Sequence, residues 1–305
     1  MADKTVFMFP GQGSQVVGMR GALSAAGPEI GHLFAAADEV LGFPLSGLID
    51  NGPLEELTRT SNAQPALLVT GIAFARSLEA RGRRADIAMG HSLGEYTALV
   101  HAGVLDFRDA LRVVRRRGLL METASEKTGG TMAAVIGAER SKLKEAIGRC
   151  SGSGFVEITN FNSPSQVVLS GEHAALDEAI RIIEDEKIGK AMRLNVSAPF
   201  HSSLMKPVAE EFERFLAGIE FSKPAVGFID NVSGNFEREP ENIRKKLVLQ
   251  LSSPVQWESS VIAAFESGAR EFIECGPGSV LSGLVKRIVR GVTILSGEKI
   301  VAEQR

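Results

Sequence analysis

Residues 90–94 read Gly90-His91-Ser92-Leu93-Gly94, a G-x-S-x-G pentapeptide between two contrasting patterns. Before it, Asp86-Ile87-Ala88-Met89 is a short apolar run suited to a buried strand. After it, Glu95-Tyr96-Thr97-Ala98-Leu99-Val100 can continue as a helix. Strand, sharp turn and helix is the setting in which this motif is a nucleophile elbow. The glycines permit a tight, strained turn that pushes the Ser92 hydroxyl out of the backbone. The following helix aims free N–H groups and its positive dipole end at whatever Ser92 attacks. The pentapeptide thus points to covalent acyl transfer through a serine. A glycine-serine turn that matches by chance is the competing reading, and other residues must converge on Ser92 to displace it.

The same alternation runs through the chain. Thr5–Phe9 is an apolar run stopped by Pro10-Gly11, which predicts a buried first strand followed by a glycine-rich loop, Gly11-Gln12-Gly13-Ser14-Gln15. Helical patterns follow at 29–41 and 65–81, and Asp106 is a plausible N-cap for the next helix, with Asp109 three residues on. Buried, non-alternating strands between helices indicate an α/β architecture with a largely parallel sheet.

From about Thr131 to Leu194 the rhythm changes. Strand-like 131–136, helix-like 139–149, strand-like 156–160 and 166–170, helical 173–186 and strand-like 190–194 give β-α-β-β-α-β. That order is the signature of a ferredoxin-like unit. Lys127-Thr128-Gly129-Gly130 and Asn195-Val196-Ser197-Ala198-Pro199 bracket it. The expected organisation is a large domain of 1–126 and 199–305 with a small inserted domain, 127–198. Beyond the insert, Leu204, Met205, Val208, Ala209, Phe212, Phe215 and Leu216 recur at helical spacing. Strands are expected at 226–229 and 271–274, and a helix ending at 247–251.

Composition narrows the function. A chain of 305 residues has room for about two domains, and a net charge of −3 argues against nucleic-acid binding by bulk electrostatics. Cys150, Cys275 and five scattered histidines lack metal-ligand spacing, so no structural zinc is expected. No apolar run reaches transmembrane length, and the N-terminal apolar stretch is too short for a signal peptide. A reduced, cytoplasmic compartment is expected.

A serine nucleophile needs a base, normally histidine. His91 sits inside the elbow, with its side chain directed away from that of Ser92. His32 lies on a polar-faced helix, His173 starts a helix of the insert, and His101 ends the elbow helix. His201 lies in Ser197-Ala198-Pro199-Phe200-His201-Ser202, where the insert returns to the large domain. Clefts between domains are common places for sites, so His201 is the preferred base. No acid is obvious as its orienting partner. A backbone or side-chain carbonyl could accept the Nδ1–H bond instead.

Arg117 is the most informative charge. On a helical wheel Phe107, Ala110, Leu111, Val114, Gly118 and Met121 form an apolar stripe, and Arg117 sits on its edge. Arg115 and Arg116 turn toward the other face. An inward guanidinium is costly unless it meets an anion, and its planar fork suits a carboxylate. That anion is either a protein carboxylate in a structural ion pair or the carboxylate of a substrate acyl group. The loop at 11–15 fails as a dinucleotide fingerprint, because Val16 stands where a third glycine should be, and it is not a P-loop. It reads either as a tight turn or as an N–H donor to an oxyanion, partnered by the N–H of Leu93.

Together these segments resemble a known family. Phe9-Pro10-Gly11-Gln12-Gly13-Ser14-Gln15, Gln64-Pro65-Ala66, Gly90-His91-Ser92-Leu93-Gly94-Glu95-Tyr96 and Arg117-Gly118 begin the set. Asn160-Phe161-Asn162-Ser163-Pro164, Pro199-Phe200-His201-Ser202, Ser253-Pro254-Val255-Gln256-Trp257 and Glu274-Cys275-Gly276-Pro277-Gly278 complete it. In this order and number they resemble the malonyl-CoA:acyl-carrier-protein transacylases, over essentially the whole chain. The resemblance implies an α/β-hydrolase-like core with a ferredoxin-like insertion. It implies Ser92 as nucleophile, His201 as base and Arg117 as receptor of the malonyl carboxylate. Gln12 and Leu93 match the oxyanion donors, and Gln250 matches the residue whose carbonyl orients the histidine. Phe200 matches the malonyl-selecting members. Asn62-Ala63 ahead of Gln64 departs from the commoner threonine-bearing version.

The implied reaction is malonyl transfer from malonyl-CoA to the phosphopantetheine thiol of acyl carrier protein, without metal or organic cofactor. The chain is expected to act as a monomer, with no nucleic-acid or membrane partner. A serine hydrolase or thioesterase would share the elbow but has no use for an inward Arg117. A non-catalytic docking subunit would not need Ser92, His201 and Arg117 together.

Overall fold

A computed structural model describes residues 3–24, 26–196 and 198–303, without the side chains of 125–128. Ser197, in the segment expected to close the insert, lies outside the described residues.

Two sheets organise the chain. The strands are β1 (Lys4–Phe9), β2 (Ile87–Gly90), β3 (Gly130–Ile136), β4 (Val156–Ser163), β5 (Gln166–Glu172), β6 (Lys190–Arg193), β7 (Gly227–Ile229), β8 (Ala269–Glu274) and β9 (Thr293–Ser296). Five of them form a wholly parallel sheet in the order β7-β2-β1-β8-β9. Val6, Phe7, Met8 and Phe9 are all fully buried, as a strand covered by helices on both faces requires. β9 is an edge strand of four residues, exposed to half-buried and too short to display a period, so the periodicity did not reveal it.

The other four strands form an antiparallel sheet in the order β4-β5-β3-β6. With helices Arg140–Gly148 and His173–Asp185 this is the β-α-β-β-α-β arrangement read from the sequence. Its strands have two different faces. Ala133, Val135, Val167 and Leu169 pack with Leu143, Leu176 and Ile183 of the two helices. The alternate residues Met132, Ala134, Gln166 and Val168 line a cavity shared with the parallel sheet. One face therefore closes a small core and the other forms a wall of the site.

Helix Thr60–Glu79 starts five residues ahead of the predicted Pro65. Proline has no N–H to donate to the carbonyl four residues earlier, which here belongs to Ser61. Arg115 Nη1 donates to that carbonyl at 2.7 Å, so the helix continues through Pro65. This also corrects the reading of Arg115. It is half-buried, with its guanidinium 4.9 Å from the Phe43 ring centroid. Helix Phe107–Thr128 opens as expected: the Asp106 carboxylate accepts from the N–H groups of Arg108 and Asp109.

Candidate active site

The parallel register builds the site. Phe9 pairs with Gly90, and the His91 N–H donates to the Phe9 carbonyl at 3.0 Å. The loops after β1 and β2, carrying Gln12 and Ser92, therefore emerge side by side at the carboxyl end of the sheet. Ligand crevices of parallel α/β sheets lie there.

Ser92 has φ +52° and ψ −105°, a strained conformation for a non-glycine residue. Gly90 and Gly94 contribute space rather than positive φ. A Cβ on Gly90 would lie 2.0 Å from the Gly94 carbonyl oxygen, and one on Gly94 would lie 1.9 Å from that of Phe9. The strand, the turn and helix Leu93–His101 can approach this closely only without those side chains.

Asn231, just past β7, holds the strained peptide. Its Oδ1 accepts from the Ser92 N–H and its Nδ2 donates to the Gly90 carbonyl, both at 2.7 Å. Asn231→Ala would leave both backbone groups without these bonds. Each costs about 1–3 kcal/mol when left buried and unpaired. A stability loss of about 2–6 kcal/mol in denaturant unfolding is expected, with a matching loss of Ser92 acylation; an unchanged midpoint would show that the elbow holds its shape alone.

His201 comes from the return of the chain out of the antiparallel sheet, also with positive φ, +61°. Its Nε2 lies 2.7 Å from Ser92 Oγ, and its Nδ1 lies 2.7 Å from the Gln250 carbonyl oxygen. A carbonyl only accepts, so Nδ1 carries the proton and Nε2 is left as the acceptor for the serine hydroxyl. Burial, helped by the nearby Arg117 charge, pulls the His201 pKa down to about 3. The imidazole is thus neutral over the whole physiological range. The acid limb of Ser92 acylation should accordingly lie well below the ordinary histidine value of about 6.5. Protonation removes the base, so the rate falls with decreasing pH, but only far into acid. A limb centred near about pH 6.5 in pre-steady-state acylation would contradict this environment.

Arg117 is 1% exposed. Its Nη1 donates to Gln64 Oε1 at 2.9 Å, and its Nη2 donates to Gln250 Oε1 at 2.9 Å and to Ser92 Oγ at 3.2 Å. The guanidinium carbon lies 5.3 Å from the Tyr96 ring centroid. Nε has no hydrogen-bond partner among the described residues, and no described carboxylate forms an ion pair with this guanidinium. Burial lowers its pKa, but an arginine remains cationic near neutrality. Its hydrogen-bond partners are two neutral amides and a hydroxyl, which orient the cation without neutralising it.

A cavity of about 520 Å³ opens between the two sheets, lined by Ser92, His201, Arg117, Gln12, Leu93 and Phe200. The N–H groups of Gln12 and Leu93 are not engaged by another described residue. Gln12 also donates from Nε2 to Thr60 Oγ1 at 3.2 Å. Gln250 is fully buried behind the cavity wall. Every site residue singled out from the sequence is thus gathered at this one place.

The other histidines stand apart from Ser92 Oγ. His91 Nε2 lies 2.8 Å from Asn162 Oδ1, and its ring lies 5.6 Å from that of Trp257. His101 packs against the rings of Phe7 and Phe9, and burial takes its pKa down to about 4. Gln64, Asn231 and Glu95 were missed as site residues. Gln64 and Glu95 stand in the motifs quoted above and Asn231 in none, and an amide or carboxyl one step behind the reacting atoms has no spacing rule to mark it. Among the described residues no cluster of three His, Cys, Asp or Glu could hold a metal ion.

Comparison with known proteins agrees with this geometry. Residues 6–304 match the family model described as the acyl transferase domain. The malonyl CoA-acyl carrier protein transacylase of Bacillus subtilis is 44% identical over 94% of this chain and 91% of its own. That of Escherichia coli K12 is 43% identical over 94% of this chain and 93% of its own. A crystal structure of an acyl carrier protein S-malonyltransferase from Vibrio cholerae superposes with a TM-score of 0.92 at 41% identity, covering 96% of each chain. A malonyl-transacylase solved in complex with a type II PKS acyl-carrier protein superposes at 0.94 and 39% identity, covering 99% of this chain and 100% of that one. A family match over nearly the whole chain, relatives above 40% identity and a serine-histidine pair on a strained elbow lead to one conclusion: the chain belongs to the acyl transferase family.

Proposed function

We propose that this protein transfers the malonyl group of malonyl-CoA to the phosphopantetheine thiol of acyl carrier protein through a malonyl-serine ester. The observation that carries the reading is Arg117. A buried guanidinium with no described carboxylate partner, 3.2 Å from the serine hydroxyl, fits an acyl group that ends in a carboxylate. A hydrolase of uncharged acyl groups would carry the desolvation cost of that cation without using it.

In the first half-reaction the malonyl carboxylate sits on Arg117. His201 Nε2 takes the hydroxyl proton as Ser92 Oγ bonds to the thioester carbon. The N–H groups of Leu93 and Gln12 receive the oxyanion. The C–S bond then breaks, and CoA leaves as the thiol with the proton that His201 held. In the second half-reaction the carrier-protein thiol gives its proton to His201 and attacks the ester. Ser92 regains a proton from His201, and ping-pong kinetics follow. The Gln250 carbonyl keeps the imidazole in the required tautomer, and Phe200 forms the side wall beside the acyl group.

The large lobe, 1–126 and 199–305, supplies these groups, and the inserted lobe, 127–198, supplies the opposite wall. All of them come from one chain, which favours a monomer as the working unit. Two free, buried cysteines fit a reducing compartment such as the cytoplasm.

The test is the fate of the acyl group. With malonyl-CoA and holo carrier protein, malonyl should appear on the carrier thiol faster than free malonate is released. Steady malonate release with no carrier product would favour a thioesterase.

A further inference from the structure

Glu95 is an ionisable group that the mechanism above leaves unused. It lies one helical turn beyond Ser92 and is 1% exposed. Its carboxyl joins the two halves of the site. One oxygen accepts from Gln250 Nε2, and the other accepts from the Asn231 N–H at 3.3 Å. The Gln250 amide is a bridge, because its Oε1 accepts from Arg117 Nη2 at 2.9 Å while its Nε2 faces Glu95. The same Nε2 donates to the Ser92 carbonyl at 2.9 Å, which fixes the orientation of the amide. One primary amide therefore separates a buried carboxyl from the buried guanidinium.

We propose that Glu95 is a proton-coupled positioning residue for Arg117. Ionised, it shares the guanidinium through Gln250 and weakens the hold on an acyl carboxylate. Protonated, it leaves the full charge to the acyl group. The inference rests on the reading of Arg117 as the carboxylate receptor.

Two carboxylates competing for one buried cation cannot both ionise cheaply. Binding an acyl carboxylate should therefore favour the proton on Glu95, and ionising Glu95 should disfavour that binding by the same factor. The surroundings place this switch near working pH. Burial, and next the Asp230 carboxylate, raise the Glu95 pKa to about 8. Asp230 is fully buried, and its Oδ2 is ion-paired with Lys246 at 2.8 Å. Tyr96, adjacent on the same helix, is pushed above the ordinary tyrosine range by burial and does not titrate there. His201 and His91 are both shifted down by burial, so they are neutral throughout. Arg117 keeps its charge. Among the charged and titratable groups around Arg117, Glu95 is the one that changes state in mild alkali.

The experiment is the second-order rate constant for acylation of Ser92, read by rapid-quench intact mass between about pH 7 and about pH 9.5. Malonyl-CoA and acetyl-CoA are compared on the native chain, on Glu95→Gln and on Arg117→Ala. The malonyl constant of the native chain should fall relative to the acetyl constant by about tenfold, the equivalent of one pKa unit of coupling. The ratio should be independent of pH in both variants. A flat ratio in the native chain would overturn the inference, as would an equal fall in Glu95→Gln. Should Glu95→Gln fail to fold, the native chain against Arg117→Ala decides the matter alone. Absence of any malonyl adduct at neutral pH would instead reject the functional reading, so the two failures are distinguishable.

Discussion

Replacing His201 by alanine is expected to slow acylation of Ser92 by malonyl-CoA by about 10⁴-fold or more, as loss of the base does in other serine nucleophile systems. The reason is geometric. Nε2 is 2.7 Å from Oγ, the tautomer is set by the Gln250 carbonyl, and the ring is held neutral by burial. No other described histidine lies within hydrogen-bonding distance of Oγ to replace it: His91 is engaged with Asn162, and His101 is packed on Phe7 and Phe9. The oxyanion donors and Arg117 remain in the variant, so binding of malonyl-CoA should change far less than the rate. A loss of less than about tenfold in single-turnover acylation would remove His201 from its assigned role.

Arg117→Ala should separate acyl groups by charge. A hydrogen-bonded ion pair in a buried site is worth about 2–5 kcal/mol on truncation, which corresponds to roughly 30- to 5,000-fold in malonyl transfer. Acetyl transfer should change only a few-fold, because an acetyl group offers nothing for the guanidinium to hold. The change leaves the buried Gln64 Oε1 and Gln250 Oε1 without a described donor, at about 1–3 kcal/mol each, so the two acyl groups are compared on variant protein shown to be folded. Arg117 has no described ion-pair partner to strand, and its amide partners Gln64 and Gln250 stay neutral. Equal losses for the two acyl groups would make Arg117 a support for the Ser92 hydroxyl rather than a carboxylate receptor.

The sequence disclosed most of this site because the chemistry imposes local patterns. A strand, two small residues around a serine and a helix leave a recognisable pentapeptide, and an arginine on an apolar stripe stands out against the periodicity. The β-α-β-β-α-β order was legible for a similar reason: each element is long enough to show its period. Asn231 and Glu95 were hidden for the opposite reason. Asn231 reaches the elbow through a strand pairing between β2 and β7, distant in sequence, and nothing in Asn231-Val232-Ser233 signals that contact. Glu95 reads as an ordinary first-turn acid of a helix, and only its complete burial gives it other work. The start of the helix at Thr60 was obscured by Pro65, whose missing bond is compensated by Arg115 from another helix. Local propensity could not anticipate a donor supplied by tertiary packing.

The most direct measurement of the central claim is the intact mass of the protein after brief mixing with malonyl-CoA, with Ser92→Ala beside it. The account predicts one malonyl adduct on the native chain, none on Ser92→Ala, and discharge of the adduct when holo acyl carrier protein is added. An adduct that persists on Ser92→Ala, or one that carrier protein does not discharge, would contradict it.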